Sequence, residues 1–205
     1  MMLLALETSA AVASVALLSD GSVLDELVCD AGRKHAETVQ PAVDALLRRA
    51  GVSLGAVDVF AVDVGPGSFT GVRIGVCMAN AFALSCDRMV IPVDALAALY
   101  EPHRGEPGLF CTLVDARNGN AYAAQFRDGR CVEPPRAVEV APYCAGLPEA
   151  RFVGDVPDLC DPVARPSAAS VGLAAFGRTA QAAAQVAPLY LRPSQAERMA
   201  GEKRP

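Results

Sequence analysis

One stretch constrains this chain more than any other: Gly65-Pro66-Gly67-Ser68-Phe69-Thr70-Gly71-Val72-Arg73-Ile74-Gly75. Before it stands an apolar, β-branched run, Val57 to Val64, short and bounded by turn residues, which predicts a buried strand. After it, Thr70 to Ser85 has helical composition and no proline. The order is strand, glycine-rich turn, helix, with Ser68 or Thr70 placed to cap the helix. Successive backbone N–H groups at such a turn form a hollow of anion size. Gly65, Gly67, Ser68, Phe69, Thr70 and Gly71 are therefore a candidate anion-binding turn. The same glycines equally serve a tight turn that needs positive φ. No Gly-Lys-Ser/Thr follows, so this is not a P-loop.

The helix beyond the turn has two non-polar faces. Gly71, Gly75, Ala79 and Ala83 recur every four residues as a stripe of small side chains, and Ile74, Met78 and Phe82, with Cys77 beside them, form a bulky one. Each glycine in a helix costs roughly 1 kcal/mol relative to alanine, which close approach of another backbone offsets. Such a helix is either sandwiched inside its own domain or shares one face with a partner chain.

At 205 residues the chain suits one domain or two small lobes, and 52% hydrophobic with 20% charged residues describes a folded, core-forming sequence. A net charge of −5 and the absence of tryptophan argue against a protein that grips nucleic acid alone. The seven cysteines (Cys29, Cys77, Cys86, Cys111, Cys131, Cys144, Cys160) are odd in number and contain no CxxC pair. They predict neither a disulfide framework nor a zinc site, and suit a reducing cytoplasm. The apolar start lacks a basic leader and is broken by Glu7-Thr8-Ser9, so it is not read as a signal peptide. No run reaches the roughly 20 apolar residues of a membrane span.

In chain order, Met2–Leu6, Val12–Leu18 and Val23–Val28 are expected strands, with an Asp20-Gly21 hairpin turn between the last two. Val39, Val43, Leu46, Leu47 and Ala50 follow helical spacing up to Gly51, with Pro41 in the first turn or at a kink. The central strand and helix come next, then a strand at Val90–Val93 and a short helix at Asp94–Tyr100. Residues 101–108, with two prolines, two glycines, three charged residues and a histidine, read as a solvated linker. Behind it the pattern restarts. Leu109–Val114 runs into Asp115, Asn118-Gly119 turns, Ala121–Phe126 returns, and Asp128-Gly129 turns again. Glu7 precedes the first Asp-Gly turn by 13 residues, and Asp115 precedes the second by the same 13. This predicts a duplicated lobe with a cleft between two strand-end acids. Arg151–Val156 is a further strand and Ser167–Ala184 an alanine-rich helix capped by Ser167. The expected division is a first lobe at 1–100, the linker at 101–108, a reduced second lobe at 109–193, and a flexible tail at 194–205.

The eleven residues from Gly65 to Gly75 closely resemble the signature of the TsaB family, the bacterial tRNA threonylcarbamoyladenosine biosynthesis proteins once grouped as glycoprotease-like. Leu4-Ala5-Leu6-Glu7-Thr8-Ser9 resembles that family's first strand, often written with Asp where Glu7 stands. His35 sits where a histidine usually precedes the first helix. Asp115-Ala116-Arg117-Asn118-Gly119 with Tyr122 is similar to its DARxGxxY pattern, and Tyr190-Leu191-Arg192 to its closing YLR. Val186-Ala187-Pro188 lacks the usual glutamate. The duplicated lobes resemble the acetate-kinase, sugar-kinase and actin (ASKHA) superfamily, which implies an α/β fold of two such lobes, the second reduced.

The resemblance implies a subunit with no catalytic residues and no cofactor or metal of its own. It would pair with a TsaD-like paralogue through the first-lobe helices and act with a TsaE-like ATPase, ATP and metal residing on those partners and tRNA being met only through the complex. Val39, Val43, Leu46, Leu47, Gly71, Val72, Gly75, Ala79 and Ala83 are then expected at the partner interface, and the same surface would support a homodimer of the chain alone. Glu7, Thr8, Asp115 and Arg117 would line a vestigial cleft, with Arg117 clamping Asp115. His35 lacks an i, i+4 histidine, since Val39 stands there, and reads as a hydrogen-bonding residue at a helix start, whereas His103 reads as solvated. From another class, a small ASKHA-type ATP-dependent phosphotransferase or ATPase would use Glu7 and Asp115 around a metal. Against it, Ala116 and Arg117 crowd the second phosphate loop, and Phe152-Val153-Gly154-Asp155 offers one glycine and an acid. A protease lacks any nucleophile–base pair.

Overall fold

The computed structural model describes residues 1–29, 34–160 and 162–192. Strands β1 (Met2–Glu7), β2 (Ala13–Ser19) and β3 (Ser22–Cys29) form an antiparallel meander. Asp20 and Gly21 close its second turn with φ of 49° and 82°, the left-handed pair that a two-residue hairpin requires. Helix α1 (His35–Ala50) crosses back and stops at Gly51, which takes φ 67°. Strand β4 (Val59–Asp63) then pairs parallel to β1, and after α2 (Phe69–Cys86) strand β5 (Met89–Val93) pairs parallel to β4. Helix α3 (Ala95–Tyr100), capped by Asp94, leads out of this lobe.

The second sheet repeats the plan. Strands β6 (Leu109–Arg117), β7 (Asn120–Arg127) and β8 (Arg130–Glu139) are an antiparallel meander. After α4 (Val140–Ala145), β9 (Arg151–Gly154) pairs parallel to β6 as β4 pairs to β1. Asp128 and Gly129 turn with φ of 49° and 80°, matching the first hairpin. The equal 13-residue spacings thus correspond to equal topology.

Both faces of the first sheet are covered, which is why β1 reads as unbroken Leu-Leu-Ala-Leu rather than as an alternation. Leu4, Leu6, Val15 and Leu17 point to the side of α1 and α2. Leu3, Ala5, Ala16 and Leu18 point to the other side, where α5 (Ala168–Ala175) lies. A Cβ on Gly172 of α5 would sit 2.4 Å from the Leu18 side chain, so that glycine sets how closely the helix approaches β2. Helix α3 packs Leu96, Leu99 and Tyr100 against Phe110 and Phe126 of the second sheet. Tyr100 stacks on Phe126 at 4.4 Å, and its hydroxyl accepts from the Gly129 N–H at 2.9 Å.

Several expectations are corrected here. The second lobe does not run from 109 to 193: α5 packs on the first sheet, and β10 (Gln181–Ala182) pairs with β5 at its edge. The alanines of α5 are small and apolar on every side, which suits a thin helix on an apolar sheet face. The expected helix Ser167–Ala184 keeps its cap, with Ser167 accepting from the Ser170 N–H at 3.1 Å, but ends at Ala175 because Gly177 turns the chain with φ 82°. Residues 101–108 are a braced corner rather than a solvated linker. His103 stacks on Phe110 and lies 2.8 Å from Glu106, to which Arg151 also donates at 2.6 Å. The expected tail, 194–205, lies outside the described residues. By length and composition α2 meets the requirement for a membrane span, yet its inward side is part of the sheet core.

Candidate functional site

β1 ends on Glu7 and β4 on Asp63, and the two strands are parallel neighbours with Leu6 opposite Val62. The register therefore brings their last carboxylates out together, and both are fully buried. Glu7 Oε1 accepts from the N–H groups of Ser9 (2.6 Å) and Ala10 (3.0 Å). Asp63 accepts from the Ser9 hydroxyl (2.8 Å) and from the Gly65 N–H (2.7 Å). Burial pushes both carboxyl pKa values upward, and the neighbouring Asp63 charge adds to the rise at Glu7. Glu7 Oε2 meets no donor.

The glycine turn is pressed onto the loop that follows β1. The Ser68 N–H donates to the Ser9 carbonyl at 2.8 Å, and the Thr8 hydroxyl donates to the Gly71 carbonyl at 2.8 Å. A Cβ on Gly71 would lie 2.0 Å from the Thr8 carbonyl oxygen, and one on Gly75 2.3 Å from Thr8 Oγ1. These glycines serve close approach of helix and strand. Of the candidate anion-binding residues, Gly65, Ser68 and Gly71 spend their N–H groups inside the protein, the last on its own cap Ser68 Oγ at 3.3 Å. Gly67 sits against Ser9, and Phe69 and Thr70 are exposed.

The residues expected at a partner interface are core residues instead. Val39, Val43, Leu46, Leu47, Gly71, Val72, Gly75, Ala79 and Ala83 are all buried, the small stripe of α2 facing Thr8 and β4. What α1 and α2 offer outward is different. On α1 the exposed residues are chiefly polar, with Glu37, Gln40, Asp44 and Arg48 among them. On α2 they are Phe69, Thr70, Arg73, Cys77, Ala81, Leu84 and Ser85, with Ile74 and Met78 half-buried beside them. Leu84 is 68% exposed, so this face is apolar and uncovered by any of the described residues.

The expected cleft residues do not form one group. Glu7 and Thr8 are sealed beneath α2, whereas Asp115 and Arg117 are exposed on the second sheet. Asp115 donates its N–H to Asp155 at 2.8 Å and accepts from the backbone N–H of Arg117 at 2.7 Å. The clamp is therefore made by the Arg117 backbone, at φ 65°, and not by its guanidinium. His35, the first residue of α1, lies buried with Nε2 3.2 Å from the Ala10 carbonyl, a hydrogen-bonding role at a helix start. His103 is half-buried in the corner described above. Among the described residues no group of three His, Cys, Asp or Glu is arranged to hold a metal ion.

A family model described as "TsaD: tRNA N6-adenosine threonylcarbamoyltransferase" matches residues 29–133. The tRNA threonylcarbamoyladenosine biosynthesis protein TsaB of Bacillus subtilis is 33% identical over 153 residues, covering 73% of this chain and 67% of that protein. The TsaB of Haemophilus influenzae is 40% identical over 129 residues, covering 60% of this chain and 52% of that protein. A crystal structure from Pseudomonas aeruginosa, described as an uncharacterized protein with similarity to peptidase YEAZ, shares a TM-score of 0.80 and 31% identity. That likeness covers 93% of this chain and 99% of that one. The chain belongs to the TsaB family. Its matches span about half to two thirds of the length of these curated TsaB relatives.

The duplicated meander-plus-parallel-strand lobes are the ASKHA arrangement. The resemblance would place a nucleotide and its metal between the strand-end acids; here Glu7 is buried and Asp115 is exposed. Glu7 is closed off by the Ser9 and Ala10 backbone, and Thr8 is closed off by Gly71 and Gly75. Gly154, the single glycine where an adenine-side pair would be expected, is spent on packing, because its Cβ would fall 1.8 Å from the Leu113 carbonyl oxygen. Two features of the site carry little sequence signal. Asp63, the one acid in β4, closes an otherwise apolar run. The pairing of Phe69 and Arg73 with Tyr190, separated by more than a hundred residues, has no local signal.

Proposed function

We propose that this chain is the TsaB-type, non-catalytic subunit of a tRNA threonylcarbamoyladenosine-forming complex, and that it joins a TsaD-like paralogue through the outer faces of α1 and α2. The observation that carries the reading is the apolar outer face of α2, uncovered among the described residues, on a protein whose acids at the β1 and β4 ends are sealed. Membership of the TsaB family supports the pathway, and the wider TsaD-like match supports a paralogous partner of similar build. A helix pair packed on a second helix pair is the geometry such faces suit. A TsaE-like ATPase, the cytoplasm as its place of action, tRNA contact by way of the partners, and a homodimer when the paralogue is absent belong to the same proposal.

The test is co-elution of the purified chain with its TsaD-like paralogue. Ala81→Glu or Leu84→Glu places a charge on the exposed face and is expected to abolish co-elution while leaving the thermal melt of the chain unchanged. Retained binding in both variants refutes docking through α2. Calorimetry with ATP and Mg²⁺ on the chain alone is expected to give no heat. Micromolar binding lost on Asp115→Ala would restore a nucleotide-dependent enzyme.

A further inference from the structure

Arg73 lies on the exposed side of α2, one turn beyond Phe69, and is the only charged residue of that helix. Its guanidinium lies over the Phe69 ring, 3.9 Å from the centroid, and its Nε–H donates to the Tyr190 hydroxyl at 2.7 Å. Tyr190 stacks on Phe69 with ring centroids 5.1 Å apart. The segment carrying Tyr190 is anchored on both sides. The Leu189 N–H donates to the Val64 carbonyl at 2.7 Å, and Arg192 donates to Asn120 of the second lobe at 2.8 Å. The tyrosine is thus presented by fixed backbone. Phe69 and Tyr190 are 41% and 47% exposed, and Arg73 is exposed as well.

Nε is satisfied, yet among the described residues neither terminal nitrogen of Arg73 meets an acceptor, and no carboxylate reaches its guanidinium. An arginine laid on an aromatic ring and tied at Nε has given up much of its rotamer freedom in advance, while its outer edge stays a planar fork. That fork matches a carboxylate bidentately. We propose that Arg73, braced by Phe69 and Tyr190, anchors the α2 interface by taking an Asp or Glu side chain of the partner protein. This rests on the reading that a partner protein docks on the outer face of α2. The surroundings favour a protein carboxylate over a nucleic-acid phosphate. The face continues from Arg73 through Ile74, Cys77, Ala81 and Leu84 without another cation, and the chain carries a net charge of −5. A single charged anchor beside aromatic and aliphatic contacts is the usual composition of an interface centre.

Calorimetric titration of the full chain with its TsaD-like paralogue, at low and at high salt, tests this with Arg73→Ala, Arg73→Gln, Arg73→Lys, Tyr190→Phe and Leu84→Glu. Arg73→Gln keeps a polar side chain on the ring and guards against a folding defect in Arg73→Ala, with the thermal melt as control. Arg73→Gln is expected to weaken binding about tenfold or more at low salt and less at high salt. Arg73→Lys is expected not to restore it, and Tyr190→Phe, which removes only the acceptor for Nε–H, to weaken it severalfold. Leu84→Glu abolishing binding while every Arg73 variant binds as the parent does would overturn the anchor and leave the docking face standing. Parent-like binding in Leu84→Glu and the Arg73 variants alike would remove both. Arg73 variants that weaken tRNA binding but not partner binding would assign the guanidinium to phosphate and overturn the proposal.

Discussion

Burial of Glu7 and Asp63, with no cation beside them among the described residues, favours their protonated state, and the sign of the pH effect follows. In an unfolded chain both titrate in the ordinary carboxylate range near pH 4. In the folded chain burial raises both. The stability tied to their protonation is therefore fully present below the unfolded range and is lost as pH rises through neutrality. Glu7→Gln keeps an acceptor for Ser9 and Ala10 and cannot ionise. Its urea midpoint is expected to fall less than that of the parent between about pH 5 and 9. Equal slopes would mean that this pair is not the titrating element. Gly71→Ala tests the neighbouring contact. With a Cβ only 2.0 Å from the Thr8 carbonyl oxygen, helix or strand must move, and a loss of about 3 kcal/mol is expected from denaturant melts. The glycines of this turn were legible in sequence, but their partner was not, since Thr8 lies more than sixty residues away.

At the level of the helices, periodicity exposed two stripes on α2 without saying which one faces the sheet. Gly71, Gly75, Ala79 and Ala83 suggested a helix-packing seam for another chain. In the fold the same small side chains let α2 lie directly on Thr8 and β4, and the exposed stripe is the one through Arg73, Cys77, Ala81 and Leu84. A pair of substitutions two residues apart separates these roles. Ala79→Glu places a carboxylate at a fully buried site and is expected to lower the melting temperature sharply or prevent folding, whereas Ala81→Glu leaves it unchanged. Equal melts for the two would contradict the observed orientation of the helix. The caps were more easily read. Ser68 and Ser167 occupy the expected positions, each bonded to a backbone N–H three residues on. Ser68→Ala is expected to cost about 1 kcal/mol in a thermal or chemical melt.

For the molecule as a whole, the duplication was legible because matching acids and Asp-Gly turns mark both lobes at equal spacing. The return of the chain was not, because an alanine-rich helix carries no label for the sheet it covers. Residues 168–192 complete the first lobe. α5 covers Leu3, Ala5, Ala16, Leu18, Ile91 and Val93, while Val186 and Leu189 join the core beside α2. A chain cut after Ala164 is expected to bind a hydrophobic dye strongly and to aggregate, although every strand of both meanders is still present. A monomeric fragment with an intact melt would show that α5 is dispensable.

The second lobe is thus nested between two parts of the first, entered through α3 and left through α5. On a ribosome the opening hundred residues emerge early with a hydrophobic sheet face still bare. That face stays open to chaperones or to misassembly until α5 has been delivered, so synthesis that stops before it releases a molecule that holds both meanders and cannot close.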